Sequence, residues 1–427
     1  MSIAEMFTGF LVNLRVDNAD QISKRYGEIT ASLNKKFRDT ESKDTNSLQV
    51  GSYGRWTAIK GISDLDMLYI MPKGKWDDYK DGKQSQLLTD TKDAIKIRYP
   101  NTNVRVDRLV VTVTYTNFHV EVQPVFEQDD GSFIYPDTYN GGSWKVTKPR
   151  EEIAAMKEFV DQKNKNLRRL CKMARAWKNK HGVGMGGLLI DTLAYNFLSS
   201  TSDYDGKSYL YYDWLSRDFF KYLMDQPNQD HYKALGSRQN VKVKKKFQRK
   251  AKKAYELCLK AIESGDSDKA HDKWKKVYGR PFPGKVEKSE EATKTQEWRN
   301  TEQHIEDFYP VDVRYNLELE CEVSQKGFRE HFLTYMLFKK IPLLSNKKLL
   351  FTVSYIDVPE PYWLKWKVLN RGVEAQRRDC IRGQIVSDEG FGRKKETTNF
   401  RGNHIVECYA VKDDIVVAKG MINVPIQ

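Results

Sequence analysis

The sequence predicts an α+β protein: a mixed β-rich unit first, a helical lobe next, and a mostly-β domain last. Three observations carry that expectation. Hydrophobic residues make up 39% and aromatic residues 12% of the 427 residues, enough to fill the cores of two to three domains. Apolar residues over 150–278 recur at helical spacing. From Val311 the spacing becomes two, with Val311, Val313, Tyr315, Leu317, Leu319, Cys321 and Val323 alternating with polar residues, as in a strand wet on one face. The predicted divisions are 1–160, 161–285, a linker at 286–310 low in apolar residues, and 311–427.

Residues 1–40 read as helical, with Ile3, Met6, Phe7, Phe10, Leu11 and Leu14 on one face. ESKDTNS at 41–47 is a loop. A short strand, Leu48 to Val50, runs into Gly51-Ser52-Tyr53-Gly54, and a second strand spans Leu65 to Met71. A helix over 86–98 stops before Tyr99-Pro100. The Val, Thr, Tyr and Phe-rich stretch supplies strands at 104–106, 108–115 and 118–126. Helices follow over 150–200, with a break at His181-Gly182, and over 209–224. A helical pair covers 241–278, interrupted at Ser264-Gly265-Asp266. Later strands are expected near 350–357, 362–369, 381–387, 403–411 and 414–424, the last two joined by a turn at Lys412-Asp413-Asp414.

A formal net charge of +14 points to polyanionic partners, though it does not separate an enzyme acting on triphosphates from an RNA binder. Five scattered cysteines form no CxxC or CxH pair, which argues against a zinc site or a disulfide framework. The first residues lack a charged leader, and no apolar run approaches the ~20 residues that span a bilayer. The expected location is the cytoplasm, with no membrane partner.

The chemistry lies in GSYGRWTAIKGISDLD, residues 51–66, and HVEVQP, residues 119–124. Gly51 lets backbone approach an anion, and the Ser52 hydroxyl can hydrogen-bond a triphosphate tail. Arg55 and Lys60 add positive charge. Asp64 and Asp66, two apart on a strand, project from one face. Such a pair suits Mg²⁺, with Mn²⁺ as the alternative, because hard ions prefer oxygen ligands. Glu121 is the expected third ligand; Asp107, the rival, sits between two strands and reads as a turn residue. Each element alone is weak evidence, since a DxD is often a solvated strand end.

Together these residues resemble the polymerase-β-like nucleotidyltransferases, and within them the bacterial cGAS/DncV-like, or SMODS, family. The matching pieces are Val50-Gly51-Ser52, Arg55-Trp56-Thr57, Asp64-Leu65-Asp66 and Glu121-Val122-Gln123-Pro124. Many relatives carry Asp where this chain has Glu121. In 168–197 the resemblance implies that Arg175, two before Trp177, reaches the triphosphate, with Lys172 and Lys178 as neighbours. The same three residues also read as the wet face of a helix. The block 253–283 resembles the helical hairpin that ends many SMODS catalytic units, and the basic stretch 241–253 is either a solvated face or a nucleic-acid stripe. Residues 362–385 resemble the adenylyl/guanylyl and SMODS C-terminal sensor domain, through Trp366-Lys367-Val368, Asn370, Gly372, Ala375 and Arg382-Gly383.

The resemblance implies an enzyme that uses nucleoside triphosphates, ATP among them, and two Mg²⁺ ions to make a cyclic di- or oligonucleotide second messenger. It also implies a setting of bacterial antiphage signalling, with a product-activated effector and RNA or another ligand as activator. The competing expectations are a nucleotidyltransferase that modifies RNA or protein, and an RNA-binding sensor with a vestigial site.

Overall fold

The computed structural model describes residues 2–265, 269–284, 303, 305, 308–309, 311–325, 328–370, 383–398, 401–413 and 415–427. It divides into two units, Met1–Lys43 with Leu48–Lys288 and Asp44–Ser47 with Ser289–Gln427. Most of 286–310, and Gly372, Ala375 and Arg382, lie outside the described residues.

The first unit opens with α1 (Ile3–Asn13) and α2 (Ala19–Arg38). The helical stretch expected over 1–40 divides at 14–18, where the Leu14 carbonyl accepts the Lys60 N–H at 2.9 Å. Met6, Phe7 and Phe10 on α1 are buried, Phe7 lying 5.0 Å from Trp274 and Phe10 4.7 Å from Tyr278 between ring centroids.

A seven-stranded sheet follows: β1 (Ser47–Gln49), β2 (Asp64–Ile70), β3 (Asn103–Val106), β4 (Val111–Thr114), β5 (His119–Glu127), β6 (Phe133–Asp137) and β7 (Ser143–Thr147). Its order is β1-β2-β5-β4-β3, with β6 on β5 and β7 on β6. The pair β2 and β5 is parallel, and β4 runs antiparallel to β5, so the sheet is mixed. Short α3 (Gly51–Gly54) and α4 (Trp76–Tyr79) precede α5 (Gln84–Arg98). Ile22, Ile29 and Leu33 of α2 and Leu87, Leu88 and Ile95 of α5 pack with Leu65, Met67, Val120 and Val122 of the sheet. The strands β6 and β7 lie outside the expected strands: Gly131 and Gly142 precede them with positive φ, and β7 is largely exposed, so it has no clear apolar period.

The helical part comprises α6 (Pro149–Gln162), α7 (Asn166–His181), α8 (Gly187–Ser199), α9 (Tyr212–Met224), α10 (Gln248–Ile262) and α11 (Ala270–Tyr278). The helix ends at His181-Gly182 as expected, Gly182 adopting φ 57°, and an additional break falls at Lys163–Lys165. The basic stretch 241–253 is no single helix. It divides between β9 (Asn240–Lys242), paired with β8 (His231–Lys233), and the start of α10.

The second unit holds two four-stranded antiparallel sheets. One runs β11 (Phe328–Phe332), β10 (Leu317–Gln325), β12 (Lys348–Ile356), β15 (Arg393–Thr397). The other runs β14 (Ile385–Ser387), β13 (Trp363–Leu369), β16 (Gly402–Lys412), β17 (Ile415–Ile426). A short α12 (Leu333–Phe338) was not expected. The alternating stretch becomes a strand at Leu317 rather than Val311, which makes only an isolated bridge to Val416. Leu317, Leu319, Cys321 and Val323 face inward, as their spacing requires. Trp366 is fully buried and donates its indole N–H to Asp388 at 2.7 Å, which makes it a core residue.

Candidate active site

The acids meet because of strand register. The β2–β5 pair puts Asp66 beside Glu121 and Asp64 beside His119. Neighbours in register share a face, and residues two apart on one strand share it too, so all four side chains rise from one side of the sheet. Above them is the turn that leaves β1. The Val50 N–H binds the Asp66 carbonyl at 3.1 Å, which brings Gly51 over the aspartate. Gly51 has φ +63°, and a Cβ there would stand 1.7 Å from Asp66 Oδ2; no other residue fits. The turn is then held by Thr57 and Ala58, whose N–H groups donate to the Ser52 carbonyl at 2.9 and 3.0 Å.

These elements enclose a cleft of about 540 Å³ lined by Gly51, Ser52, Arg55, Asp64, Asp66, Glu121 and Arg175, with Gln123, Lys178, Asn179 and Gly187. Asp66 is half-buried at its floor. Burial, followed by the charges of Glu121 and Asp64, pushes its carboxyl up to about 6, against the opposing pull of Arg55 and His119. A carboxylate raised by burial together with acidic neighbours in a cleft is a candidate functional group.

The three acids do not form a ready-made chelate. Among the described residues no three His, Cys, Asp or Glu side chains are grouped to hold a metal ion. Asp64 accepts from the Ser63 hydroxyl, and His119 Nε2 stands between Asp64 (3.4 Å) and Glu121 (3.6 Å). The donor chemistry nevertheless fits Mg²⁺: all three offer hard oxygens, and Asp64 and Glu121 have 57% and 37% exposed side chains that can turn without moving backbone.

The two arginines behave differently from expectation. Arg55 and Arg175 are buried around Asp191, a fully buried acid on α8. Arg55 donates from Nε to Asp191 at 3.0 Å and from Nη1 to Glu152 at 3.0 Å. Arg175 grips Asp191 with both Nη atoms at 2.5 and 2.9 Å, and reaches the Gly187 carbonyl at 3.2 Å. Thr57 adds a hydroxyl bond to Asp191 at 3.1 Å. Burial opposes an ionised Asp191, but Arg175 and Arg55 outweigh it and hold the carboxyl below its ordinary value. Both arginines border the cleft, yet their charge is balanced by Asp191 and Glu152 rather than offered whole to a phosphate.

Lys60 lies outside the cleft lining, paired with Asp17 at 2.9 Å. The turn at Gly61 separates it from the acids, which spacing alone does not reveal. Lys172 does not line the cleft either, because α7 presents positions 175, 178 and 179 to it. Lys178, half-buried, makes no ion pair among the described residues. Asp107 sits in the β3–β4 turn as expected, its N–H bonding the Val110 carbonyl at 2.8 Å. Sequence reasoning missed His119, Glu152 and Asp191; only His119 carried a signal, since it stands two before Glu121.

Residues 1–159 match the family model described as the Second Messenger Oligonucleotide or Dinucleotide Synthetase (SMODS) domain. Residues 299–427 match the Adenylyl/Guanylyl and SMODS C-terminal sensor domain. None of the curated proteins matches the chain. Among solved structures the chain is similar to E. coli MS115-1 CdnC with ATP, at 16% identity over 66% of this chain and 98% of that one (TM-score 0.49). It is similar to the Vibrio cholerae cyclic AMP-GMP synthase DncV at 15%, over 56% and 69% (TM-score 0.45). For the Rhodothermus marinus c-UMP-AMP synthase CdnE the figures are 14%, 61% and 96% (TM-score 0.43). Residues 1–159 therefore carry a SMODS domain, and residues 299–427 an adenylyl/guanylyl and SMODS C-terminal sensor domain.

Proposed function

We propose that this chain joins nucleoside triphosphates, ATP among them, into a cyclic di- or oligonucleotide in a reaction that requires Mg²⁺ or Mn²⁺. One observation carries the reading: Asp66 and Glu121 lie side by side in register beneath the Gly51 turn, with Asp64 on the same face. Such crowding of acids costs stability unless a cation relieves it.

In this reading Asp64, Asp66 and Glu121 hold divalent ions after the exposed Asp64 and Glu121 side chains turn inward. Bound there, such ions supply charge neutralisation at the α-phosphate and pyrophosphate, and lower the pKa of the attacking hydroxyl. Ser52 and the backbone of its turn hold the triphosphate tail. Lys178 brings the unbalanced positive charge that Arg175 does not, and Arg55 and Arg175 keep the turn and α8 in place through Asp191. Gln123, Asn179 and Gly187 line the remaining wall, where a base or ribose can lie. Ring closure, the antiphage setting, a product-activated effector and an activating ligand come from the family resemblance rather than from geometry.

The test is incubation with all four triphosphates and Mg²⁺ or Mn²⁺, followed by mass analysis of phosphatase- and nuclease-resistant products. A small cyclic product without added acceptor supports the reading. Label entering only an added RNA or protein would replace it with a macromolecule-modifying activity.

A further inference from the structure

The first unit contains another cleft, about 740 Å³, where the ends of α1, α7 and α11 meet. Four cations line it, Arg15, Lys60, Lys180 and Arg280, against one acid, Asp17. Asp17 is matched to Lys60 at 2.9 Å. That leaves Arg15, Lys180 and Arg280, far apart in the chain, without an ion pair among the described residues. Their convergence leaves a local excess of positive charge that an anion would relieve.

The remaining wall is apolar. Leu14, Ile59 and Ala176 are buried beneath the cations. Tyr278 contributes its ring only, because its hydroxyl donates to Ser216 at 2.6 Å. The walls are also fixed to one another. Asn13 Nδ2 donates to the Pro281 carbonyl at 2.9 Å, and the Lys60 N–H donates to the Leu14 carbonyl at 2.9 Å. A pre-formed cleft of this size, with an apolar wall and a few convergent charges, has the character of a small-molecule site. Ile59 and Asn179 line both this cleft and the catalytic one, so the two adjoin.

We propose that this cleft binds a phosphate-bearing nucleotide at a site separate from the acids: the phosphates lie on Arg15, Lys180 and Arg280, and the base on the apolar wall. Lys60, expected from its motif to serve the catalytic cleft, belongs to this one. The claim does not depend on catalysis.

The experiment is equilibrium dialysis of the full chain carrying Asp64→Asn and Asp66→Asn against labelled ATP in EDTA, so that metal-dependent binding plays no part. Saturable binding of one nucleotide per chain is expected. Arg15→Ala with Arg280→Ala should weaken it by roughly tenfold or more, the loss of two charge-assisted hydrogen bonds. Lys180→Ala alone should weaken it less. Adenosine and pyrophosphate should each compete more weakly than ATP. Absence of saturable binding overturns the proposal, as does loss with Lys178→Ala, on the catalytic cleft, but not with the arginine pair. Competition by pyrophosphate equal to that of ATP overturns the nucleotide assignment. The exposed positions allow folding, which circular dichroism checks for each variant.

Discussion

One group of acids lines the cleft and a second is buried behind the arginines that border it, and their surroundings differ. Asp191 and Glu152 are buried with Arg55 and Arg175, and every oxygen of Asp191 is met by a donor. Asp64, Asp66 and Glu121 have one another, with His119 between Asp64 and Glu121 and no arginine or lysine paired to them among the described residues. At Asp191 the two arginines outweigh burial and hold the carboxyl low, whereas at Glu152 burial prevails and pushes the carboxyl up. Among the cleft acids, burial and like charge add, and Asp66 is pushed up to about 6. A balanced buried group stabilises one arrangement of chain; an unbalanced one stores free energy that an incoming cation releases. The contrast separates a structural network from the candidate site more sharply than residue identity does, since both are built from carboxylates.

The largest expected effect tests the unbalanced group. Asp64→Asn with Asp66→Asn should lower triphosphate incorporation by about a thousandfold or more, as the loss of metal-borne charge stabilisation requires. The same variant should be more stable than the parent in EDTA. A variant with normal turnover would remove these acids from the mechanism.

The balanced group responds in the opposite sense. Asp191→Ala leaves Arg55 and Arg175 buried without their counter-charge and should destabilise the first unit by about 3–5 kcal/mol, read by denaturant unfolding. Asp191→Asn should cost less, because it keeps part of the hydrogen bonding. If neither variant moves the unfolding midpoint, the network is not what holds the Gly51 turn to α8.

The pH dependence sharpens the comparison further. The Asp66 carboxyl is raised in the folded chain, from 3.8 to about 6, so the folded state prefers its protonated form. Metal-free stability should therefore fall as pH rises from about 4 through 6 and level off above, by about 2–3 kcal/mol for this group. Asp66→Asn should flatten that part of the stability curve in EDTA. An unchanged slope would mean that Asp66 is not the group under strain.

The smallest effect concerns Lys60. Its pair with Asp17 is more than half exposed on both sides, so Lys60→Ala should cost less than about 1 kcal/mol and leave the triphosphate KM of the catalytic reaction within about twofold. A large rise in that KM would return Lys60 to the catalytic cleft.

The legible parts of the site were those governed by local rules. Period-two spacing put Asp64 and Asp66 on one face, and a glycine followed by serine after a short strand marked a tight turn over them. Contacts made with a partner distant in the chain were not legible. Arg55 finds Asp191, 136 positions away, and nothing local distinguishes an arginine that binds phosphate from one that neutralises a buried acid. The break between α1 and α2 was hidden for the same reason: its Leu14 carbonyl is satisfied by Lys60, remote in the chain.

By itself the sequence determined the α+β class, the order of most elements, the resemblance carried by 50–66, and the placing of Asp64 and Asp66 on one face below a glycine turn. These follow from periodicity, steric limits at Gly51, and residue chemistry, all of which act over a few neighbours. Only the tertiary structure decided which charges cancel. Long-range packing buries Arg55 and Arg175 against Asp191, sends Lys60 to another cleft, and leaves Asp66 beside Glu121. Electrostatic interactions depend on distance and burial rather than on separation along the chain, so the chain order does not reveal them.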